Sequence, residues 1–451
     1  MSNRIIAVAI VSGLLLVCAG SAFATGTRLN SMGAAGAYFV GEFPVFVTGN
    51  LAIEDEANIF QLPATLTKYG NRVMIDELQG TFDTFGGARF GIHYSISDYT
   101  VLAVYGSNVD AGVGLGVPFG APYQPTSPFL AGGQTSAAAA AGVGNPAGDA
   151  SGGNPDLTAD YKGSIMFAHD IGGFRFGAGI HIFGDSAKVE APNEAIQDIG
   201  VLVMDFDLGV GFDFLGDNSL DFGIGIKFGT FDYVLPPQEK EYYGPETNFA
   251  IDLVGRGILN FFQGTQIIPY GHILYEVQGL TDTDPPPGQQ GQFGDYSHFG
   301  LELGVDLKIE PFERVYIYPG FGFRLDTWKV AALGGNEPEI DRRLALPYYG
   351  FGLDARIWDW FVFRMGARQY VLFDKEGTFV SGGTETDTRD AKVITTFDTG
   401  FSLIFGENDN WIIDAHLQPE FFLNGPSIIS GNSTTDGAGH MNVDVALKYT
   451  W

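Results

Sequence analysis

Hydrophobic and polar residues alternate with a period of two along most of this chain. The stretch 204–214, MDFDLGVGFDF, sets Met, Phe, Leu and Val against Asp and Gly, and 220–228 and 298–309 follow the same pattern. Successive side chains of a β-strand point to opposite faces, so each stretch predicts a strand with one apolar and one polar face. Sixteen such segments start near Arg72, Ala88, Thr100, Tyr161, Phe174, Met204, Leu220, Asn248, Ile267, Phe299, Val315, Leu344, Phe361, Val393, Trp411 and Met441.

Strand length and loop length together indicate a membrane barrel. Many segments reach ten residues, near the roughly 9 to 11 that cross a bilayer at a tilt and above the about five to six of globular strands. Short turns alternate with longer polar loops, as in outer-membrane barrels. The longer loops span 110–158, 189–197, 236–246, 281–296, 332–342, 376–390 and 426–439.

We therefore predict an all-β fold, a transmembrane antiparallel β-barrel of 14 to 16 strands over residues 71–451. The lower number omits the first hairpin, from Asn71 to about Ser97. Its turn is short, although it lies at the end of the barrel where the other connections are long. A soluble β-sandwich or a secreted β-helix is the alternative, because its strands also alternate. A barrel fits better, since its apolar faces meet lipid and no strand edge stays unpaired.

Residues 110–158 interrupt the alternation with a stretch that is rich in Gly, Ala and Pro and carries few charges. One interpretation is a long extracellular loop. The other is a loop folded over or into the mouth of the barrel, because Leu115, Phe119 and Phe129 are unusual for a linker in water. The pattern leaves both interpretations open.

The first 24 residues have the pattern of a secretory signal peptide. Arg4 precedes the apolar run 5–17, and residues 22–24, AFA, have the small-x-small form of a cleavage site. We expect cleavage of residues 1–24 and insertion into the outer membrane of a Gram-negative-type cell. Cys18 is the only cysteine and leaves with this segment, so we expect neither a disulfide nor a cysteine-bound metal.

Charge restricts the partners of the exported chain. Lys and Arg number 24, Asp and Glu 53, and Arg4 leaves with the signal, so 23 − 53 = −30 formal charges remain. Nucleic acid is excluded as a partner, because phosphate contacts need Lys and Arg. The expected partners are outer-membrane lipid, lipopolysaccharide, the barrel-assembly machinery and a hydrophobic small molecule. The seven histidines show no zinc spacing, so the sequence predicts no enzyme, no cofactor and no metal site.

Residues 25–70 precede the first strand and combine a small-residue stretch, an acidic pair with an alanine, and a Pro-Ala pair. The residues of this pattern are Met32, Gly33, Gly36, Asp55, Glu56, Ala57, Pro63 and Ala64. It resembles the front segment of the outer-membrane long-chain fatty-acid transporter family, although Leu62 stands where that family has Asn and residues 42–53 look inserted. The resemblance implies that residues 25–70 form a plug, or hatch, inside a barrel that passes hydrophobic molecules, in some members through a sideways gap.

Inward glycines indicate where such a plug would pack. By alternation they lie on the polar face of two groups of three consecutive strands. They are Gly177, Gly179, Gly209, Gly211, Gly223 and Gly225, then Gly300, Gly304, Gly320, Gly322, Gly350 and Gly352. A strand glycine lets another backbone approach closely, so we predict that residues 25–66 pack against these glycines. The alternative is that the glycines enlarge the lumen or let the wall bend.

Charged residues also alternate onto the inner face. The candidates for lumen-facing residues are Glu302, Asp306, Arg324, Asp326, Asp354, Arg356, Arg364, Arg368, Asp414 and His416. One interpretation is a salt-bridged polar interior, and the other is a ladder of charges that orients polar or amphipathic solutes. The arginines at 356, 364 and 368 could also hold a carboxylate by bidentate contact.

Prolines and the last strand complete the predicted wall. Pro319, Pro347 and Pro419 each remove a ladder hydrogen bond and predict a bulge or, alternatively, a kink that opens the wall sideways. The stretch 441–451 should pair with the first strand and close the barrel, with Tyr449 and Trp451 in an aromatic girdle. A terminal aromatic strand also resembles the signal that barrel-assembly machinery recognises.

These patterns support three hypotheses about function. The first, which the resemblance implies, is passive transport of small hydrophobic or amphipathic compounds across the outer membrane. The second is an open porin that the net charge biases toward cations. The third is a closed structural or scaffold barrel in a secretion or surface-assembly system.

Overall fold

The computed structural model shows a wall of antiparallel strands preceded by short elements. The signal segment, Gly33, Gly36, Pro419 and the loop 110–158 lie outside the residues that the structure describes. The described residues are 28, 32, 37–40, 43–46, 51, 53–78, 80–81, 84–85, 88–108, 161–190, 196–214, 218–234, 242–244, 248–262, 264–282, 292–330, 339–380, 384–406, 409–417 and 443–451.

Sixteen strands form the wall within these described residues. Strands β1 to β8 are Arg72–Leu78, Ala88–Ser97, Thr100–Asn108, Tyr161–Ile171, Phe174–Glu190, Ile196–Phe214, Asn218–Val234 and Asn248–Phe262. Strands β9 to β16 are Thr265–Asp282, Gln292–Phe312, Val315–Val330, Glu339–Trp358, Phe361–Val380, Thr384–Phe405, Trp411–Leu417 and Val443–Thr450. Neighbours in the chain pair antiparallel, and β16 pairs with β1, with Tyr449 opposite Val73, so the wall is closed.

The closed wall confirms the predicted transmembrane β-barrel at the upper end of its 14 to 16 strands. Strands β1 and β2, the hairpin whose place the sequence left open, both belong to the wall. The chain between them forms a small pair of its own, Gly80–Thr81 with Thr84–Phe85. The connection on the long-loop side is therefore a separate hairpin and not a tight turn.

Strands β5 to β14 are longer than a bilayer crossing requires. They run from 15 to 22 residues, against the roughly 9 to 11 of a tilted crossing. The predicted loop 376–390 is wrong for this reason, because β13 and β14 stay paired as far as Val380 and Thr384. Beyond the membrane both faces of a strand meet water, so the apolar alternation ends while the backbone ladder continues.

The outer surface of the wall is apolar and its inner surface is polar. On β6 the side chains of Met204, Phe206 and Leu208 are exposed, whereas Asp205 and Asp207 are buried inside. Exposed aromatic side chains gather near the short turns, as in the girdle of a membrane barrel. They include Tyr99, Phe174, Phe261, Phe262, Phe312, Trp358, Trp360 and Trp451.

Shorter elements accompany the wall. Ala37–Val40 pairs with Phe43–Phe46, and two 3-10 helices follow, Glu56–Phe60 and Pro63–Lys68. Tyr242–Gly244 pairs with the ends of β7 and β9. Within the described part of the chain, no helix has both the length and the apolar character needed to cross a membrane.

The two described prolines of the wall differ in their effect. Pro319 keeps the regular register of β11, opposite Phe351. It removes one ladder hydrogen bond without a bulge. Pro347 lies inside β12, at a register shift between Ala345 and Tyr348 on the pairing with β13. Pro319 thus breaks one rung of the ladder, as predicted, and the predicted bulge is found at Pro347.

Candidate functional site

An inner segment, residues 51 and 53–68, lies inside the barrel against inward wall side chains. Pro63 occupies the first turn of its second 3-10 helix, where a fixed φ favours the helix and a missing N–H is no loss. Asn58 donates from Nδ2 to the Ile53 carbonyl over 2.7 Å, and Thr65 donates from Oγ1 to the Leu62 carbonyl over 2.8 Å. Such bonds satisfy backbone carbonyls that have no hydrogen-bond partner within a short helix. The chain can therefore form two helical turns within the lumen.

One face of the inner segment rests on a row of three glycines. Gly177, Gly209 and Gly223 stand directly opposite one another on β5, β6 and β7. A Cβ built on Gly177 would overlap the backbone of Pro63, and one on Gly223 would overlap the Gln61 carbonyl oxygen. A Cβ on Gly209 would lie 2.8 Å from the Pro63 ring. The segment can occupy this place only because the three wall positions lack a side chain.

The other faces of the inner segment pack against eight further strands of the wall. One buried cluster joins Ile59, Phe60 and Leu66 to Met74, Val101, Ala103, Tyr105, Met166, Ala168, Ala250, Leu274 and Ala446. A second buried cluster joins Leu51 and Leu62 to Val254, Tyr270, Ala345, Tyr348, Tyr370 and Leu372. The wall residues of both clusters belong to β1, β3, β4, β8, β9, β12, β13 and β16, so the segment contacts opposite sides of the lumen.

Glu56 ties the inner segment to the strands that close the barrel. Its carboxylate pairs with Arg72 of β1 and, over 3.4 Å, with Lys448 of β16. Glu56 is 4% exposed, and both cations are largely buried. One carboxylate of the segment therefore neutralises two cations, one on each of the two strands that close the barrel.

Arg28 and Arg256 make two further ties between the front of the chain and the wall. Arg28 pairs with Asp55 and, over 3.1 Å, with Asp354 of β12. Arg256 of β8 donates from Nη1 to the Leu51 carbonyl over 3.1 Å. Asp354 lies on β12, far from the glycine row, whereas Arg256 lies on β8, next to Gly223 of that row. The inner segment is therefore held from more than one direction.

A surface pair and a buried phenol mark the end of the inner segment. Burial opposes the charge of Glu54, but the Lys68 ammonium at 2.7 Å and the Arg256 guanidinium lower the pKa of this carboxyl below its usual value. Burial raises the pKa of Tyr69 well above its usual value. Its hydroxyl therefore stays neutral, while the Tyr69 carbonyl accepts a bond from His93 of β2 over 2.6 Å.

Several predicted lumen residues form one network between β10 and β11. Arg324 pairs with Asp326 over 2.7 Å and with Glu302 over 3.4 Å. His298 lies 2.9 Å from Asp326, and the Tyr348 hydroxyl donates to Glu302 over 2.9 Å. All five side chains are buried. The arrangement is that of a paired polar interior, because each carboxylate has a cationic partner.

The three arginines of the predicted carboxylate stripe have different surroundings. Arg364 is bound by Asp414 over 2.7 Å and by Asp354 over 3.4 Å. Arg356 lies near the short turns and pairs with Asp409 over 3.0 Å. Arg368 forms no ion pair among the described residues, and its Nη1 is buried without a hydrogen-bond partner. Arg368 is therefore the one arginine of this stripe that no described carboxylate contacts directly, although Asp306 acts on its charge from a greater distance.

His416 pairs with a carboxylate other than the predicted one. It lies 3.1 Å from Asp398, while its predicted neighbour Asp414 binds Arg364. Among the residues that the structure describes, no group of three or more His, Cys, Asp and Glu side chains is arranged to hold a metal ion.

The second predicted group of glycines accommodates mainly wall side chains. A Cβ on Gly322 would lie 2.5 Å from the Tyr348 ring. The carboxylate of Asp306 covers Gly320. Within the described front of the chain, the Met32 carbonyl approaches this group, 3.5 Å from a Cβ on Gly352.

The remaining predicted residues take the following places. Asp55, Glu56, Pro63 and Ala64 are buried in the inner segment, and Ala57 lies in its first 3-10 helix. Tyr449 lies beside Trp411, with ring centroids 4.5 Å apart, near the exposed Trp451.

Sequence analysis did not single out Arg72, Arg256 and Lys448, which hold the inner segment. Each alternates onto the polar face of its strand. Basic residues on the inner face are few in so acidic a chain, and this could have identified the three as candidates. Their partners lie on a distant segment, which no local sequence pattern reveals.

No protein-family model matches the sequence, and no curated protein matches it. Among solved structures, the chain is similar to the alcaligin outer-membrane receptor FauA of Bordetella pertussis, with a TM-score of 0.40 and 9% identity over 83% of this chain and 69% of FauA. It is similar to a FadL homologue of Pseudomonas aeruginosa, with a TM-score of 0.38 and 11% identity over 96% of this chain and 99% of that one. It is also similar to the toluene transporter TbuX of Ralstonia pickettii, with a TM-score of 0.36 and 12% identity over 94% and 97%.

Proposed function

We propose that this chain is an outer-membrane transporter barrel that passes small hydrophobic or amphipathic compounds passively, with the inner segment as its hatch. The proposal rests on the contact between the inner segment and Gly177, Gly209 and Gly223. A glycine weakens the strand that contains it, so three at one level of adjacent strands are unfavourable unless another backbone needs the space. Here that backbone is the chain at Gln61 to Ala64.

The outer surface supports a location in the membrane. Side chains such as Ile165 and Leu208, 60% and 58% exposed, face outward from the middle of their strands. Contact of such a surface with water would cost roughly 25 cal/mol per Å² of apolar area. Lipid removes this cost, and the closed ladder leaves no strand edge unpaired in the hydrocarbon. The expected signal peptide directs such a barrel to the outer membrane.

The chemistry of the lumen supports an apolar or amphipathic cargo. The two buried clusters bring apolar side chains of the wall into contact with the inner segment. If the segment moved aside, Phe60, Leu62 and Leu66 would leave an apolar path along the wall. Paired charges lie beside this path, so a compound with an apolar body and one polar group is a suitable solute.

Uptake by whole cells tests the proposal. A strain that lacks the chain should take up labelled toluene or a labelled long-chain fatty acid several-fold more slowly at low concentration, and the wild-type chain should restore the rate. Equal uptake with and without the chain would favour the scaffold hypothesis. A large, steady cation current through the wild-type protein in a planar bilayer would favour the open porin.

A further inference from the structure

Two charged residues of the lumen stand at the ends of one row across four adjacent strands. Asp306 of β10 pairs in register with Gly320, Gly320 with Gly350, and Gly350 with Arg368 of β13. All four positions lie on the inner face of the wall. The row therefore presents a carboxylate and a guanidinium with two glycines between them.

The space in front of Gly350, which we call the Gly350 recess, is open. A Cβ built on Gly350 meets no atom within 4 Å. The Asp306 carboxylate covers Gly320 on one side, and Arg368 stands on the other. Along β12 the recess is bounded by Tyr348 and by Gly352, next to the Met32 carbonyl. Gly320 and Arg368 belong to strands two spacings apart, about 10 Å, which is enough for a small molecule.

The two charges at the ends of the recess remain outside the ion-pair networks of the lumen. Asp306 and Arg368 are 7% and 6% exposed, and neither forms an ion pair among the described residues. Arg324 and Arg364, by contrast, each bind two carboxylates. Asp306 and Arg368 act on each other as opposite charges, but no contact joins the two side chains directly. A buried charge without a directly bonded counter-ion is costly. A ligand that bonded to both side chains would reduce this cost.

We infer that the Gly350 recess binds a small zwitterion, a compound with both an ammonium and a carboxylate group on an apolar or aromatic body. The ammonium lies at Asp306 and the carboxylate at Arg368, whose Nη1 is buried and free of hydrogen bonds. The body lies in the open space in front of Gly350. This inference rests on the proposed function, because a solute must enter the lumen to reach the recess.

The presence of both charges distinguishes a zwitterion from simpler ligands. A compound with only a carboxylate would satisfy Arg368 and would be repelled by Asp306 at the other end of the recess. A compound with only an amine would satisfy Asp306 and would be repelled by Arg368. Only a ligand with both groups gains two charge-assisted hydrogen bonds and meets no like charge.

Three probes with the same phenyl body test this inference on the full barrel in detergent. Phenylalanine carries both groups, 3-phenylpropionate only the carboxylate and 2-phenylethylamine only the amine. Calorimetric titration should give an affinity for phenylalanine at least about tenfold above that for either other probe, because each charge-assisted bond is worth about a factor of ten or more. Equal affinities for the three probes, or no binding of phenylalanine, would overturn the inference.

Variants of the recess assign the binding to this place. Asp306→Asn and Arg368→Gln should each weaken phenylalanine binding about tenfold. Gly350→Leu should abolish it, because the leucine fills space that is empty in front of Gly350. Retained heat-modifiable migration on gels shows that each variant is folded. Unchanged binding in folded Gly350→Leu would contradict the site. Titration measures binding without transport, so the two proposals can fail separately. Normal uptake of toluene together with no binding of phenylalanine would reject the zwitterion site and would leave the hatch proposal intact.

Discussion

At the scale of single residues, the position of the inner segment depends on glycines in the wall, which have no side chain. Pro63 and Gln61 contact the wall where Gly177 and Gly223 leave room for a backbone. The atoms that a Cβ would overlap are backbone atoms, which cannot rotate away as a flexible side chain can. One methyl group at either glycine must therefore move the segment or bend the wall.

Thiol labelling can detect this movement. Thr65 is fully buried in the inner segment, and the chain has only one cysteine, Cys18. A cysteine introduced by Thr65→Cys should react slowly with a water-soluble maleimide. Adding Gly177→Ala should raise the rate about tenfold or more, because the displaced segment exposes position 65.

The control for this labelling is Gly163→Ala on the neighbouring strand β4, where Gly163 lies on the exposed outer face. A Cβ on Gly163 meets no atom within 4 Å, so labelling should stay slow. Equal labelling rates in the two backgrounds would show that the glycine row does not hold the segment.

The sequence was informative about these residues, but incompletely. Alternation alone places Gly177, Gly209 and Gly223 on the inner face of the wall. It does not show that they stand in one row, because register depends on the turns between strands. It also does not show which backbone rests on them, because Pro63 is far away along the chain.

At the scale of elements, the inner segment and the closing strands depend on each other. Lys448 of β16 and Arg72 of β1 lie on neighbouring strands and share Glu56. Without this carboxylate, two cations would face each other in a largely buried place. Folding of the inner segment is therefore coupled to closure of the barrel.

The variant Glu56→Gln measures this coupling. It should lower the stability of the folded barrel by about 2 kcal/mol or more, since it leaves buried cations without a partner. The midpoint temperature of the heat-modifiable gel shift should fall by several degrees. Glu313→Gln is the control, because Glu313 is 89% exposed beside Arg314 and such pairs contribute about 0–1 kcal/mol. Identical midpoints for the two variants would contradict the coupling.

The elements themselves follow closely from the sequence. All sixteen segments with a period of two are strands of the wall, because alternation is required wherever one face meets lipid and the other the lumen. Residues 376–390 differ from the predicted loop, because β13 and β14 continue beyond the apolar belt. There the strand is held by backbone hydrogen bonds alone. These bonds do not require apolar and polar side chains to alternate, so the sequence shows no period of two.

At the scale of the whole molecule, a closed wall with an apolar outer surface surrounds the inner segment. If this segment is the hatch that we propose, the barrel should pass solutes only when the segment moves. The 53 acidic residues do not make the interior uniformly negative, because arginines and lysines pair with many inward carboxylates. Gating by the segment, and not the net charge, should therefore control passage.

Single-channel recording in planar bilayers tests this claim most directly. The wild-type barrel and Gly163→Ala should show no steady current, because the inner segment stays on the glycine row. Gly223→Ala should give a steady current, because its Cβ cannot coexist with the Gln61 carbonyl. A large steady current from the wild-type barrel, or a silent Gly223→Ala variant that is folded and inserted, would contradict the account.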